Sequence, residues 1–444
     1  MHSLFIYICK FTDDNFISLH FMHKFFYNVF IRLYPLAAAI ISPFNEKARL
    51  WTNGRKTILK NIEVAVANDH SKKLWMHCSS LGEFEQGRPL LEKFKELYPS
   101  YKIVLTFFSP SGYEVQKNNK LVDYIFYLPM DSSKNAKTFL DVINPSLVVF
   151  VKYEFWYYFL REINRRNIPL LLVSAIFFEH FSFFKWYGSW YRESLFLFTH
   201  IFFQTKHSEN LLRSINVTKN ISVAGDTRFD RVLQLAAEPR SFPEIEKFIS
   251  NSKTIIAGST WTEDDEVLDH FANTHPELKF IIAPHDLSKE RIKECTTLFK
   301  HAVLYSDYVD MISKQTSPDA SINTLIIDNI GMLKFLYRYA TICFVGGGFG
   351  NDGIHNILEA AVYYKPVLFG PAYDKFSEAI DLVDKEGAFD VEDAIELEEE
   401  LNDLLTDEMM YREACNIAGE YVKNNAGATA TIMNYIQANR LLIN

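Results

Sequence analysis

Short, almost wholly apolar runs recur along this chain with amphipathic helical stretches between them, and that rhythm leaves few folds open. LWMHCSSLGEFEQGRPLLEKFKEL reads as strand, loop, helix. YKIVLTFFSPSGYEVQ and PSLVVFVKYEFWYYFLREINRRN repeat the grammar, and IPLLLVSAIF and HIFFQT are further buried strands. Buried strands joined by helices make βαβ units and a parallel sheet. Residues 233–250 are polar, carry two prolines and hold no strand, so they read as a linker or connecting helix. The rhythm then restarts with TIIAGST, KFIIAPH, NTLIID, TICFVGG and PVLFG. The pattern predicts an α/β protein of two doubly wound halves: 1–50 as an N-terminal extension and membrane-attachment segment, 51–232 as one Rossmann-like domain, 233–250 as linker and 251–444 as the second domain.

The net charge of −9 argues against a nucleic-acid-binding surface. Five widely scattered cysteines lack metal-ligand or redox spacing and read as reduced thiols in a cytosolic setting. The N-terminus breaks the acidic average. From Met22 to Lys60, Lys24, Arg32, Lys47, Arg49, Arg55, Lys56 and Lys60 face Glu46 alone. Residues 25–44, FFYNVFIRLYPLAAAIISPF, have about the length that crosses a bilayer, though Arg32, Pro35 and Pro43 interrupt them. Three readings follow: a membrane-surface attachment with a basic cytosolic flank, a single span, or a signal peptide ending near Ala37–Ala39. The segment has no evident packing partner in either α/β half. Residues 1–21 read as an extension ahead of Met22, an alternative start.

In doubly wound sheets ligands bind beyond the carboxyl ends of the strands. GGGFGNDGIHNILEAA (346–361) there predicts a glycine-rich loop leading into a helix near His355–Glu359, with free N–H groups suited to phosphate. Gly348, Gly350 and Gly353 satisfy G-x-G-x-x-G. Helical spacing would put His355 and Glu359 on one face, Glu359 available to ribose hydroxyls. The plainer alternatives are a capping or core histidine and a solvated helix charge. HCSSLGEFEQG puts Glu83 at the start of a helix, where a carboxylate stays ionised unless other influences raise its pKa. Ser79, Ser80 and Gly82 leave room for a substrate; an ordinary first-turn Glu is the alternative. Glu154 sits among Tyr153, Phe155, Trp156, Tyr157 and Tyr158, a setting for a raised pKa or a structural ion pair. Arg228 in GDTRFDRV can meet a phosphate or carboxylate, or pair with Asp226 or Asp230.

Together these residues resemble the 3-deoxy-D-manno-octulosonic acid (Kdo) transferases of lipopolysaccharide synthesis. The resemblance runs from about residue 22 through SSLGE (79–83), TFFSPSG (106–112), YEFW (153–156), SAIF (174–177), GDTRFD (225–230), AGST (257–260), IIDNIGMLKFLY (326–337), FVGGGF (344–349), HNILEAA (355–361) and FGPAYDKFSEA (369–379). It implies a GT-B fold: two Rossmann-like domains facing across a cleft, acceptor on the first and CMP-Kdo donor on the second. It implies Kdo transfer to a lipid A precursor at the cytoplasmic membrane face, with no metal and no cofactor. Glu83 matches the family's general base, and Glu154 and Arg228 match positions that stabilise the transition state. Pro284, His285, Ile330, Gly331, Met332, Asn356, Ile357, Leu358 and Glu359 match the CMP site. Lys152 stands where many members carry a Glu, Met332 where a Glu is frequent and Arg228 where a Lys is frequent. Ile354 replaces a Gly, and Pro284-His285-Asp286 replaces Pro-Arg-His. The competing readings are an enzyme of the same fold acting on another nucleotide sugar, such as a UDP-sugar transferase or epimerase, and a membrane-attached nucleotide-sugar binder without turnover.

Overall fold

Burial on both faces is what the apolar runs require, and in the computed structural model of the chain they form two seven-stranded, wholly parallel sheets. The structure describes residues 2–442 except 239, 317, 318 and 352, with side chains from Met22 onward. The first sheet has β1 (Lys73–Cys78), β2 (Lys102–Phe107), β3 (Tyr124–Tyr127), β4 (Leu147–Val151), β5 (Leu170–Ala175), β6 (His200–Phe203) and β7 (Ile221–Val223), in the order β3-β2-β1-β4-β5-β6-β7. The second has β8 (Thr254–Thr260), β9 (Lys279–Pro284), β10 (Ala302–Leu304), β11 (Thr324–Ile326), β12 (Ile342–Val345), β13 (Val367–Phe369) and β14 (Ala388–Asp390), in the order β10-β11-β9-β8-β12-β13-β14. Strand order reverses between β1 and β4 in one and between β8 and β12 in the other. Those switch points are where a doubly wound sheet opens a ligand crevice.

The chain divides into two compact units, Met1–Arg231 with Gly427–Asn444, and Val232–Ala426. This differs from the expected 251–444 domain at both ends. The last helix, Ala428–Ala438, buries Ile432, Met433 and Ile436 in the cluster that holds Leu90 and Leu91 of the first unit. Asp230 fixes its start by accepting from the N–H groups of Gly427 and Thr429, each at 2.6 Å. The expected linker is also more ordered than its polarity implied. Its helix Pro243–Ile249 buries Ile245 and Phe248, and Tyr339 Oη donates to Glu246 Oε1 at 2.9 Å. Of the cysteines with described side chains, Cys78, Cys295 and Cys343 are buried free thiols and Cys415 is a half-buried one; Cys9 lies outside the described side chains.

The N-terminal segment is a 40-residue helix, α1 (His2–Ile41), followed by α2 (Glu46–Arg55) and α3 (Ile58–Val66). Met22–Ile41 is long and apolar enough to cross a membrane. The expectation that it lacks a packing partner does not hold. One face of α1 docks on the first unit. Tyr27 Oη donates to the buried Asp131, Tyr158 Oη donates to Asn28 Oδ1 at 2.6 Å, Ile31 is buried, and Tyr34 packs edge-on to Trp51. Asp131 also accepts from the N–H groups of Tyr158 and Phe159, each at 3.0 Å, yet burial still raises its pKa to about 6. The other face carries Phe25, Phe26, Phe30, Leu33, Leu36 and Ile40, all exposed. Segments that read as one apolar block are thus split by the 3.6-residue period into a docking stripe and an outward stripe.

A helix that docks through a bonded tyrosine contributes to stability. Tyr27→Phe is expected to destabilise the first unit by about 1.5–3 kcal/mol, the range for a hydrogen bond to a charged group, read as a lowered midpoint in thermal or urea unfolding. A chain starting at Trp51 should expose Tyr157, Tyr158 and Trp190 and aggregate; an unchanged midpoint and monomeric elution would show that α1 is dispensable to the fold.

Candidate active site

The helix α4 (Leu81–Leu97) begins two residues beyond β1, with Ser80 as its N-cap. Glu83 lies in its first turn, and its side chain turns back to accept from the N–H of Ser79. Ser79 Oγ in turn donates to Glu154 Oε1 at 2.5 Å. One serine therefore bridges two carboxylates, one following β1 and one following β4. The other Glu154 oxygen lies 2.9 Å from His77 Nε2 and also accepts from the indole N–H of Trp156. His77 is fully buried inside β1.

Trp75 Nε1 donates to Thr106 Oγ1 at 2.8 Å, and His77 Nδ1 lies 2.9 Å from that hydroxyl and 3.0 Å from the Thr106 carbonyl oxygen. On the other side of the ring the carboxylate can only accept, so Nε2 donates to Glu154. This chain of buried donors from β1 and β2 holds Glu154, which is only 4 % exposed, in one position. The expected aromatic setting of Glu154 is present, and hydrogen bonds from a histidine, a serine and a tryptophan stand where an ion pair was the expected alternative.

That fixed carboxylate acts on Glu83. Burial first, and the Glu154 charge second, raise the Glu83 pKa to about 7, against the lowering effect of the Ser79 and Ser80 N–H groups and of Lys152. The exception allowed for a carboxylate at a helix start applies here: desolvation and a like charge outweigh the helix terminus. A side chain placed on Gly82 would meet nothing within 4 Å, so space opens beside Glu83. Tyr153 is pushed up to about 12, chiefly by burial, with Glu83 raising it and Arg228 lowering it, which puts the guanidinium in the same neighbourhood. Arg228 Nε donates to Asp226 Oδ2 at 2.7 Å, the Asp226 alternative, while Asp230 is engaged by the last helix. Lys152 has φ +72°, a left-handed conformation rare in non-glycine residues, and its ammonium lies 5.1 Å from the Tyr153 ring centre.

In the second unit the switch point is wired differently. Asp264, fully buried, accepts at 2.8 Å from both Trp261 N and Gly347 N, tying the end of β8 to the loop after β12. Burial raises its pKa to about 6. The glycine-rich loop is packed inward. A Cβ on Gly346 would come within 2.6 Å of Ser259 O, and one on Gly348 within 2.5 Å of Gly370 N. The glycines thus serve close backbone approach. The expected helix is the single turn Leu358–Ala361, and His355 precedes it, so His355 and Glu359 do not share a helical face and the helix after this loop is too short to present an N-terminal phosphate site. Instead His355 stacks on His285 at 4.5 Å and His285 on Trp261 at 4.7 Å. Asn356 Nδ2 donates to Glu359 Oε1 at 3.4 Å. Ile357 and Leu358 are fully buried, which leaves only their backbone to a ligand, and Pro284 ends β9. Ile330 is exposed, Gly331 has φ +95°, and Met332 Sδ accepts from Asn329 Nδ2. Among the described residues no hydrogen bond or ring contact joins that loop to His285.

The sequence pattern singled out Glu83, Glu154, Arg228 and His285, named Trp156 only as an aromatic neighbour of Glu154, and missed His77, Trp261 and Asp264. His77 interrupts an apolar strand, and a polar residue in such a run is the signal that finds it; Asp264 stands in the acidic stretch TEDDE at a helix start and has no such signal.

Two doubly wound parallel sheets, each with a buried acid at its switch point, define the class by fold: an α/β protein of the GT-B-like, two-domain type. Comparison with known proteins agrees. Residues 53–231 match the family model for 3-deoxy-D-manno-octulosonic-acid transferase (kdotransferase). The 3-deoxy-D-manno-octulosonic acid transferase of Chlamydia trachomatis serovar A is 30 % identical over 349 residues, 75 % of this chain and 77 % of that protein. A bifunctional glycosyltransferase/methyltransferase of Fusobacterium nucleatum is 28 % identical over 67 % of this chain, which spans 47 % of that longer protein. A UDP-GlcNAc 2-epimerase from Neisseria meningitidis shares the fold, with TM-score 0.58 and 18 % identity over 82 % of this chain and 100 % of the epimerase. The chain belongs to the 3-deoxy-D-manno-octulosonic acid transferase family.

The Glu154 charge sets part of the Glu83 pKa, and its removal has a definite sign. Glu154→Gln should move the acidic limb of the rate–pH profile to lower pH, because Glu83 loses a like-charged neighbour and ionises more readily. A limb that stays put or moves up would show that Glu83 does not control it.

Proposed function

We propose that this protein transfers Kdo from CMP-Kdo to a lipid A precursor at the cytoplasmic membrane face, in lipopolysaccharide synthesis, with Glu83 as general base. The observation that carries the reading is a half-buried carboxylate with a pKa of about 7 beside open space, at the switch point of the unit that matches the transferase family model. A base with that pKa is poised to take the acceptor hydroxyl proton near neutrality. The acceptor oxygen then bonds to the anomeric carbon of Kdo, and the bond from that carbon to the CMP phosphate oxygen breaks, with the electron pair leaving on CMP. Arg228 and Lys152 supply positive charge to the transition state, and Glu154 positions Ser79 and, through it, Glu83. In the second unit the Trp261–His285–His355 stack, Pro284, the Ile330–Met332 loop and Asn356–Glu359 make up the CMP site in this reading. The outward apolar face of α1 and the flanking cations lay the first unit on an anionic membrane surface, where the acceptor resides.

Glu83→Gln should lower transfer by roughly 10²-fold or more while CMP affinity in calorimetry stays within twofold, since only the proton acceptor is lost. Purified protein should release CMP from CMP-Kdo only when the lipid acceptor is present. Turnover within threefold of the unaltered protein would remove Glu83 from the mechanism, and acceptor-independent CMP release would contradict the transfer.

A further inference from the structure

The turn from α2 into α3 lines a cavity of about 570 Å³ in the first unit, with Pro35 of α1 in its wall. Arg55, Lys56 and Lys60 are among the lining residues, and no Asp or Glu is. Among the described residues no carboxylate pairs with any of these three cations. Asp131, next to the lining residue Met130, is committed to Tyr27 and to the N–H groups of Tyr158 and Phe159. The Arg55 guanidinium lies 4.2 Å from the Trp51 ring centre and 4.8 Å from those of Phe108 and Tyr127. Its Nε and Nη2 donate to the carbonyl oxygens of Leu128 and Phe108 at 2.9 and 2.7 Å. These acceptors are neutral, so the charge itself has no counter-ion. Burial lowers the Arg55 pKa to about 9, against the raising effect of Tyr127 and Tyr34. Helix α3 opens at the same cavity: Thr57, its N-cap, and Ile58 both line it, and Thr57 makes no side-chain cap bond. The uncapped first turn adds partial positive charge.

Like charges around one cavity repel, and a half-buried cation gains most from an opposite charge brought to it. The lining therefore selects an anion. Half of the lining residues are apolar, and the volume falls in the usual range of small-molecule sites, roughly 300–1,000 Å³. A lone inorganic ion would leave that apolar half unmatched. A lipid matches both parts. Leu36, the residue after Pro35, is exposed on the outward stripe of α1, so apolar surface for hydrocarbon begins one residue from the cavity wall. We infer that this cavity binds the phosphate headgroup of one anionic phospholipid, with Arg55, Lys56, Lys60 and the start of α3 around the phosphate. Basic pockets beside membrane-embedded helices hold anionic headgroups in this way. The inference rests on the proposed attachment of the first unit to a membrane and deepens it: one headgroup site takes the place of a diffuse attraction. Phe108 also packs at 4.8 Å on Trp156, the indole that holds Glu154, so a seated lipid fixes the height of the membrane surface relative to Glu154.

The test measures flotation of the full chain with vesicles of phosphatidylglycerol and phosphatidylcholine. Salt is held at about 0.15 M, where attraction between exposed charges is screened beyond roughly 8 Å. Lys56→Gln with Lys60→Gln should weaken binding at least tenfold more than Lys47→Gln with Arg49→Gln, which removes the same charge from α2 outside the cavity. Equal losses in the two pairs would mean that net charge alone acts, and overturn the site. A second arm needs no vesicle. Dihexanoyl-phosphatidylglycerol below its micelle concentration should bind saturably in calorimetry, one molecule per chain. Its affinity should fall at least tenfold in the Lys56/Lys60 pair, with circular dichroism unchanged. Inorganic phosphate competing equally well would make this an ion site and overturn the lipid assignment. Dihexanoyl-phosphatidylcholine binding equally well would overturn the role of charge. If the unaltered chain floats with no vesicle, the proposed membrane attachment fails, and the soluble lipid alone decides the cavity: saturable binding lost in the Lys56/Lys60 pair supports a headgroup site, and its absence overturns one.

Discussion

A buried carboxylate cannot be left without partners, and the first unit is organised around meeting that demand for Glu154. Its oxygens are reached by a histidine from inside β1, by the serine that follows β1 and by the indole of Trp156. These contacts close the gap between β1 and β4, where the strand order reverses and adjacent loops diverge. The same serine places its N–H on Glu83. The position of Glu83, and the share of its raised pKa that the Glu154 charge adds to its own burial, are thus two consequences of one constraint. Removing a partner of Glu154 would leave a buried charge uncompensated, a costlier event than losing a surface contact.

The second unit meets an equivalent demand with other residues. Asp264, from the helix after β8, bonds the backbone at Trp261 and at Gly347 and so closes the β8–β12 switch point. In both units a buried acid joins the two loops that a ligand would approach. The difference lies in the side chains found there. In the first unit a second carboxylate, Glu83, stands beside open space. In the second, the rings of Trp261, His285 and His355 stack on one another. Proton transfer suits the one and recognition of a planar or anionic group suits the other.

The central strands were legible because β1, β4, β5, β8, β9 and β12 are apolar on both faces, which no amphipathic helix imitates. The edge strands β3, β7, β10 and β14 have only three or four residues and were not legible. Glu83 and Glu154 stood out by following strands, but the Ser79 bridge joins positions 75 residues apart and has no local signature. The docking of α1 was hidden for a similar reason. Tyr27 and Tyr34 are apolar enough to merge with Phe25, Phe26 and Phe30, and their partners Asp131 and Trp51 are set by the fold. Glycines 346–348 read as a phosphate cradle because sequence cannot distinguish glycine required by a ligand from glycine required by a neighbouring backbone.

The central claim is that burial, together with the charge of Glu154 held by His77 and Ser79, lifts the Glu83 carboxyl group into the neutral range. Carboxyl-carbon NMR of protein labelled at glutamate, with Glu83 assigned by substitution, measures this directly and without substrate. The account predicts a Glu83 midpoint near 7. A midpoint at the ordinary glutamate value of about 4.3 would contradict it, since the buried pair would then exert no influence on the group proposed to take the proton.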